Sequence, residues 1–249
     1  SMQFIEGGVT AAKGFLAGGI HCGIRKNKSK ADLAMIFSKT PCAAAGVYTQ
    51  NLVKGAPILV TRKNIADGRA QAVICNSGNA NTCAANGVAL AEECCELVGK
   101  ALNIDEKDVL PASTGVIGQP MVIDPFARGI PAAAAKLAAT GQGSTDAATA
   151  IMTTDTCPKH GSVSFSGDGI GYPGVTFTVG GMCKGSGMIM PNMATMIAVI
   201  TTDAPVEPEA LHALLLSTVK QTFNKVTVDS DTSTNDTCIM LASGAAAAD

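Results

Sequence analysis

Tryptophan is absent from this 249-residue sequence, and aromatic residues make up only 4% of it. The core must therefore be built from small and aliphatic side chains, which favours closely stacked layers of secondary structure. Apolar residues account for 47% of the chain and charged residues for 15%, which is typical of a globular protein. The length allows one large domain or two small ones.

The sequence also lacks an excess of charge of either sign. Its net charge is -2, and its Lys and Arg residues are scattered, which argues against nucleic acid and anionic membranes as partners. No apolar run approaches the roughly 18 residues of a membrane span, and the N-terminus has no secretory pattern. We therefore expect a cytoplasmic protein whose partner is a small molecule.

Metal-ligand spacing is missing as well. None of the nine cysteines forms a C-x-x-C pair, and His21, His160 and His212 are far apart in sequence. Cys94 and Cys95 lie in the apolar pattern of a helix, where a reduced thiol packs as a small hydrophobe. We predict no metal site, no cofactor and mostly buried, reduced cysteines.

Apolar patterning predicts an α/β or α+β fold in which strands and helices are interleaved without a repeat. The expected strands are residues 33–37, 46–49, 58–61, 72–75, 162–166, 175–179, 195–201 and 237–242. The clearest helix is 88–102, whose apolar residues share one wide face. Further helices are predicted from Asp124 to about residue 139, from Ser144 onwards, and from Glu207 to residue 223.

One glycine-rich segment carries the most chemical information. Residues 184–200 read KGSGMIMPNMATMIAVI, so Thr195 stands where a loop meets a buried apolar strand. A threonine there can simply start the strand. Alternatively, if the preceding peptide is strained, the Thr195 hydroxyl can attack the carbonyl of Ala194, and hydrolysis of the ester frees a new N-terminus. The freed α-amine, with a pKa of about 7.7 to 8.0, accepts the hydroxyl proton, so one residue supplies nucleophile and base.

Four blocks of the sequence together resemble the ornithine acetyltransferase family of arginine biosynthesis. They are residues 184–197, CNSGNAN at 75–81, PASTGVIG at 111–118 and DTSTNDT at 231–237, in the same order as in that family. The resemblance spans nearly the whole chain. It implies layered sheets packed between helices, the fold of self-processing N-terminal-nucleophile acyltransferases.

The resemblance places a self-cleavage between Ala194 and Thr195. Residues 2–194 then form an α chain, with Ser1 set aside as the remnant of a tag, and residues 195–249 begin a β chain. The family draws a glutamate and polar residues from a region beyond residue 249, so we expect the C-terminal remainder to be missing here. Family members pair as α2β2 heterotetramers, which we expect here too.

The resemblance also assigns roles within the site. It implies that Thr114 and Gly115 form an oxyanion hole and that Thr156, Lys184 and Thr195 bind substrate. The residues alone also allow plainer roles. The Thr114-Gly115 pair can belong to an ordinary turn, Lys184 can be a solvated charge, and Thr156 can end a helix.

Two blocks rich in asparagine and aspartate flank these candidates in the sequence. Asn79 and Asn81 lie in a glycine-containing loop, where asparagine tolerates left-handed backbone and makes local hydrogen bonds. Asp231 and Asn235 lie in the last block, together with Asp236. We read the four residues Asn79, Asn81, Asp231 and Asn235 as support for the site, although the last block can also merely close a turn.

Acetyl transfer from N-acetylornithine to glutamate is the reaction that the resemblance implies, through an acetyl-threonine intermediate at Thr195. The sequence leaves open whether acetyl-CoA is a further donor, which would make the enzyme bifunctional. One alternative is an aminopeptidase or amidase of the same self-processing type, since water can replace glutamate. A second alternative is a catalytically silent binding or assembly protein, because this chain lacks part of the family's site.

Overall fold

The structure, a computed structural model, describes residues 1–186, 196–225 and 233–248. Its strands are β1 (Met2–Ile5), β2 (Phe15–Ile20), β3 (Leu33–Tyr48), β4 (Arg69–Asn76), β5 (Val109–Ser113), β6 (Lys159–Ser166), β7 (Thr176–Lys184), β8 (Ile197–Thr202) and β9 (Thr237–Ala242). Its α-helices are α1 (Ala56–Asn64), α2 (Gly87–Leu102), α3 (Asp124–Ala135), α4 (Gly141–Ala150) and α5 (Pro208–Gln221). Within these ranges, no helix has the length and apolar character needed to cross a membrane.

The strands form one mixed sheet in the order β1-β6-β7-β8-β9-β3-β4-β5, and β2 pairs with β3 beside this path. The β4–β5 and β8–β9 pairs are parallel, and the other pairs are antiparallel. The long strand β3 belongs to both halves of the sheet, because residues 33–37 pair with β4 and residues 43–48 pair with β9. Its register on β4 shifts between Phe37 and Cys42, where the strand passes from one half to the other.

The two halves of the sheet pack on each other. Val73 of β4 and Leu110 of β5 belong to the same buried cluster as Val199 of β8 and Ile239 of β9, although β3 separates these pairs in the sheet. Alternate residues of the strands point to the outer faces, one packed against α2 and α3 and the other against α5. The result is a layered α/β fold of helices, two sheet halves and a helix. This confirms the predicted fold class.

Small residues let α4 approach β2 closely. A Cβ at Gly19 of β2 would lie 2.2 Å from the carbonyl oxygen of Asp146 in α4. A Cβ at Gly143 of α4 would lie 2.5 Å from the carbonyl oxygen of Ala17 in β2. Glycine therefore sets this helix-to-strand distance, as expected for a core with few aromatic side chains.

Several predicted elements are confirmed. Helix α2 begins one residue before the predicted start and ends at the predicted residue, and β9 matches residues 237–242. Residues 33–37 and 46–48 are strand as predicted, but both belong to the single strand β3, which ends one residue before the predicted residue 49. The prediction of a strand at 58–61 is wrong, because these residues lie in α1, which has a proline in its first turn. A short apolar run does not by itself separate a strand from a buried helix.

Other boundaries differ from the prediction. Helix α4 begins at Gly141, capped by the Thr140 hydroxyl, so Ser144 lies inside the helix rather than at its start. Helix α3 ends at Ala135, before the predicted residue 139. Strands β1, β2 and β5 were not predicted, because they are short or contain glycine or proline, and such residues weaken a strand pattern.

The close packing of α4 on β2 predicts that Gly19→Ala destabilises the fold. The added methyl group overlaps main-chain atoms of α4, which cannot rotate away, so we expect a loss of about 1–3 kcal/mol in the free energy of unfolding. Gly161→Ala is the control, since a Cβ there meets no atom within 4 Å. Urea unfolding of both variants checks this, and equal stability of the two would contradict it.

Candidate active site

Lys184, Thr114 and Gly115 meet at a cavity of about 790 Å³. Lys184 is the last residue of β7, and Thr114 and Gly115 directly follow β5, so the ends of two strands bring them together. The loop after β2, the turn after β4 and residues 233–235 complete the wall. A larger cavity, of about 1090 Å³, lies between α1 and the start of α5, and no candidate residue that the structure describes lines it.

The Lys184 side chain is fully buried, with 1% of its surface exposed. Its ammonium donates hydrogen bonds to the hydroxyl oxygens of Thr114 (3.1 Å) and Thr153 (2.9 Å). An ammonium has three N–H donors, so one has no acceptor among the described residues and can serve a ligand in the cavity. These contacts exclude the reading of Lys184 as a solvated surface charge.

Burial lowers the pKa of the Lys184 ammonium below its ordinary value. Nearby Asp155, Cys75 and Asp236 act in the opposite direction, and the Arg25 cation adds to the lowering. The site therefore holds a partly desolvated ammonium, which gains more from binding an anion than a solvated one does.

The Thr114 hydroxyl is arranged as a hydrogen-bond donor. An ammonium can only donate, so the oxygen of Thr114 accepts from Lys184 and its own hydrogen is free to point elsewhere. The Thr114 amide is already bonded to the Asn76 carbonyl (3.0 Å), which leaves the Gly115 amide as the next main-chain donor. Gly115 has a φ of 131°, and a Cβ there would lie 2.5 Å from the main chain of Gly78. Only glycine fits this position.

The loop after β4 supports Thr114 through its asparagines. Asn76 accepts a hydrogen bond from the Ser113 hydroxyl (2.6 Å) and donates one to the Asn79 carbonyl (2.9 Å). The Asn79 side chain accepts from the Asn81 amide (2.8 Å), and Asn81 adopts a left-handed φ of 50°. The Asn81 side chain donates to the carbonyl of Gly87 at the start of α2 (2.9 Å). These asparagines bond to the protein itself and shape the loop.

Asn235 ties three segments of the site together. Its amide nitrogen donates to the carbonyls of Ala80 (2.6 Å) and Ser113 (2.9 Å). Its amide oxygen accepts from the hydroxyls of Thr82 and Thr234, both at 2.6 Å. All four hydrogen-bonding positions of the side chain are occupied, so Asn235 positions the wall and has no capacity left for a ligand.

Asp155 was not among the residues predicted for the site. Its buried carboxylate accepts hydrogen bonds from the Lys159 ammonium (2.6 Å) and from the amides of Gly185 (2.8 Å) and Thr153 (3.2 Å). Burial raises the pKa of Asp155, but the hydrogen bond from Lys159 and the two amides outweigh it and leave the pKa below its ordinary value. Asp155 thus joins the Thr153 segment to the residue after Lys184.

Thr156, the threonine predicted to bind substrate, is exposed and does not line the cavity. Thr153 and Thr154 of the same block do line it, and it is the Thr153 hydroxyl that reaches Lys184. The role of Thr156 stays a prediction. Residues 153–156 are all polar, so the sequence pattern did not indicate which of them faces the cavity.

Asp236 is a second carboxylate, in the block whose polar residues were expected either to order the site or to close a turn. It is fully buried, and one oxygen accepts a hydrogen bond from the amide of Met196 (2.7 Å) at the entry to β8. The other oxygen has no partner among the described residues. Burial raises the pKa of Asp236 to about 7, even though the Met196 amide, Ser233 and Lys184 all act to lower it.

Ala194, Thr195 and Asp231 lie outside the described residues. The residues that follow them are described. Met196, next to Thr195 in sequence, is bonded to Asp236, and Ile197 pairs with Lys184 across β7 and β8. The chain therefore enters β8 beside the ammonium of the cavity.

Comparison with known proteins gives a consistent family. A family model described as the ArgJ family matches residues 16–249. The arginine biosynthesis bifunctional protein ArgJ of Symbiobacterium thermophilum is 49% identical over 98% of this chain, and the match covers 60% of that relative. The chain thus spans about 60% of the length of the curated relatives it matches.

Two solved structures resemble the fold. The arginine biosynthesis bifunctional protein ArgJ of Bacillus halodurans matches with a TM-score of 0.70 and 40% identity, covering 78% of this chain and 100% of that chain. The ornithine acetyltransferase of Mycobacterium tuberculosis, complexed with ornithine, matches with a TM-score of 0.69 and 35% identity, covering 79% of this chain and 100% of that chain. Both solved chains are therefore shorter than this one.

The raised pKa of Asp236 predicts a pH-dependent effect of Asp236→Asn on stability. Between pH 3.8, the ordinary pKa, and about 7, the unfolded chain releases this proton and the folded chain keeps it, so rising pH lowers the stability of the parent. The variant lacks this loss. Its stability relative to the parent should rise across this window by about 2–4 kcal/mol.

Urea unfolding at several pH values checks this, with Thr195→Ala in both proteins so that the two are compared as the same intact chain. Glu209→Gln, at an exposed position, controls for the change in net charge. A stability difference for Asp236→Asn that stays flat across the window would contradict the raised pKa.

Proposed function

Because the chain belongs to the ArgJ family, we propose that it forms the larger part of a self-processing acyltransferase of arginine biosynthesis. The proposed reaction is acetyl transfer from N-acetylornithine to glutamate. The observation that carries this is the contact of the buried Lys184 ammonium with the Thr114 hydroxyl, beside the entry to β8. This contact supports the proposal because a buried cation that can bind a carboxylate lies next to a hydroxyl that can donate, and the residue before Met196 is Thr195.

Self-cleavage between Ala194 and Thr195 is the first step of the proposal. It yields an α chain of residues 2–194 and a β chain that begins at Thr195 and includes residues 195–249. The lengths of the solved chains support it. Each solved chain aligns over its full length with less than four fifths of this chain, so it is shorter than this chain. The curated relatives, by contrast, are longer than this chain. Separate chains of that length are what an internal cut leaves.

The chemistry follows from the freed Thr195. Its α-amine takes the hydroxyl proton while the oxygen attacks the acetyl carbonyl to form a tetrahedral intermediate. As the C–N bond to ornithine breaks, the ornithine amine takes that proton and leaves, and the acetyl-threonine ester forms. The negative charge on the carbonyl oxygen is held by the Thr114 hydroxyl and the Gly115 amide. Lys184 raises the acidity of the Thr114 hydroxyl by donating to its oxygen, which strengthens that donor.

Substrate binding is assigned to the third N–H of Lys184. A lysine ammonium pairs with a carboxylate as a charge-assisted hydrogen bond, and the buried site strengthens the pair. We assign the α-carboxylate of the amino-acid substrate to this position. Thr156 is kept as a candidate contact, and Thr153 is the neighbour whose hydroxyl already orients Lys184.

Glutamate completes the cycle by attacking the acetyl-threonine ester, which regenerates Thr195. Acetyl-CoA is a candidate second donor, since the curated relatives are named bifunctional. The proposal needs no metal and no cofactor. It further includes an α2β2 heterotetramer in the cytoplasm and a supporting role for Asp231.

An aminopeptidase or amidase remains a second candidate function, because water can attack the same acyl-enzyme in place of glutamate. The buried Lys184 argues against a catalytically silent assembly protein. Burying a charged side chain lowers the stability of the fold, and a purely structural protein has no need of such a residue. Product analysis with and without glutamate separates transfer from hydrolysis.

Replacing Thr195 by Ala should abolish both self-cleavage and acetyl transfer, because it removes the attacking hydroxyl. Intact mass under denaturing conditions should show two chains for the full-length wild-type gene product, cut between Ala194 and Thr195, and one chain for the variant. Thr222→Ala, at an exposed position, is the control and should be cut normally. Transfer activity in Thr195→Ala would rule out this nucleophile.

Replacing Thr114 by Val should lower kcat by about 100- to 1,000-fold, because one oxyanion donor is lost. The rate is normalised to the amount of cut chain, so that an effect on self-cleavage is counted separately. Thr218→Val, an exposed residue of α5, makes the same chemical change away from the cavity. A kcat for Thr114→Val within twofold of wild type would exclude Thr114 from the oxyanion hole.

A further inference from the structure

The described side chains that line the cavity carry positive charges and no negative ones. Arg25, Lys26, Lys30 and Lys184 line it, and its described lining contains no aspartate or glutamate. The whole chain, by contrast, has a net charge of -2. Charges of one sign gathered in a concave site attract and concentrate ligands of the opposite charge.

The loop that carries three of these cations is anchored by the buried carboxylate of Asp32. One oxygen accepts from the Cys22 amide and the other from the Arg25 amide, both at 2.8 Å. At the other end of the loop, Nδ1 of His21 lies 2.8 Å from the Lys30 carbonyl oxygen. The protein thus fixes both ends of the loop by itself, without a ligand.

Arg25 is half-buried at the wall of the cavity. Its Nε donates to the Ser77 hydroxyl (3.0 Å), and its guanidinium also donates to the Met152 carbonyl. A Cβ at Gly78 would lie 2.7 Å from Arg25 Cγ, so glycine makes room for the side chain. No carboxylate among the described residues comes within ion-pair distance of the guanidinium. A half-buried cation without an ion-pair partner is stabilised when an anion binds.

Arg25 and Lys184 also act on each other. The Arg25 charge is one of the causes that lower the pKa of Lys184, after the larger effect of burial. The two cations therefore repel each other. An anion bound near both removes this repulsion.

We propose that Arg25, Lys26 and Lys30 form a second anion subsite, in the same cavity as Lys184, that binds an anionic group of the acyl acceptor or of an acyl-CoA donor. The inference rests on the proposed function, in which Lys184 holds the α-carboxylate. A dicarboxylic acceptor such as glutamate then places one carboxylate at Lys184 and the other at this subsite. A phosphate of an acyl-CoA donor is the other source of such a group.

The test measures steady-state acetyl transfer by the full-length gene product carrying Lys26→Gln and Lys30→Gln together. We expect the KM for glutamate to rise about tenfold or more with kcat within twofold, since each lost cation weakens ground-state binding. Lys28→Gln is the matched control, because Lys28 lies in the same loop, is exposed and does not line the cavity. Its KM values should stay within twofold of wild type.

The KM values for glutamate and for acetyl-CoA distinguish the two sources of the anion. A raised KM for glutamate alone supports a carboxylate in the subsite, and a raised KM for acetyl-CoA alone supports a phosphate. If the double variant transfers acetyl groups with every KM unchanged, the subsite is wrong and the proposed function stands.

If the wild-type protein transfers no acetyl group, the proposed function fails and the subsite is tested by binding. Calorimetric titration with glutarate, a dicarboxylate without an amine, then compares wild type with the double variant and Lys28→Gln. Binding that is weakened only in the double variant supports the subsite. Equal binding by all three proteins, or no binding by wild type, overturns it.

Discussion

A lysine ammonium buried at the end of strand β7 is the constraint around which the site is arranged. Lys184 is almost without solvent contact, so the free energy lost on removing its charge from water must be recovered from hydrogen bonds. Thr114 and Thr153 supply two of them. Because both hydroxyl oxygens must accept, both hydroxyl hydrogens are free to act as donors. The burial of one cation therefore fixes the hydrogen-bond direction of its neighbours.

The fold brings Lys184 and Thr114 together because the long strand β3 belongs to both halves of the sheet. Thr114 follows β5 and Lys184 ends β7, and in the sheet these strands are far apart. They meet because β3 passes from one half to the other and the halves share a core. Asp155 and Asn235 then fasten the meeting segments with hydrogen bonds to main-chain groups.

Much of the architecture could be predicted from the sequence, because α2 and β9 carry clear apolar patterns. The strand assigned to 58–61 was wrong, since a helix start at Gly55 and Pro57 outweighed the β-forming apolar residues. The site was predicted in part, through a resemblance that identified Lys184 and Thr114. Their contact depends on the packing of two sheet halves, which no local pattern encodes.

The two carboxylates were harder to find. Asp155 and Asp236 stand in threonine-rich blocks that are typical of turns, and an acidic residue in a turn is usually solvated. Their importance comes from burial, which only the folded chain shows. In the same way, the choice between Thr153 and Thr156 depends on which side chain faces the cavity, and four polar residues in a row give no period from which to decide.

The central claim is that an acyl group passes through Thr195 beside the Lys184–Thr114 contact. Its most direct test is to mix the cut protein with N-acetylornithine without glutamate, stop the reaction with acid, and measure the mass of each chain. The account predicts one added acetyl group on the chain that begins at Thr195, lost again when glutamate is added. An unmodified chain in a protein that still transfers acetyl groups to glutamate would contradict it.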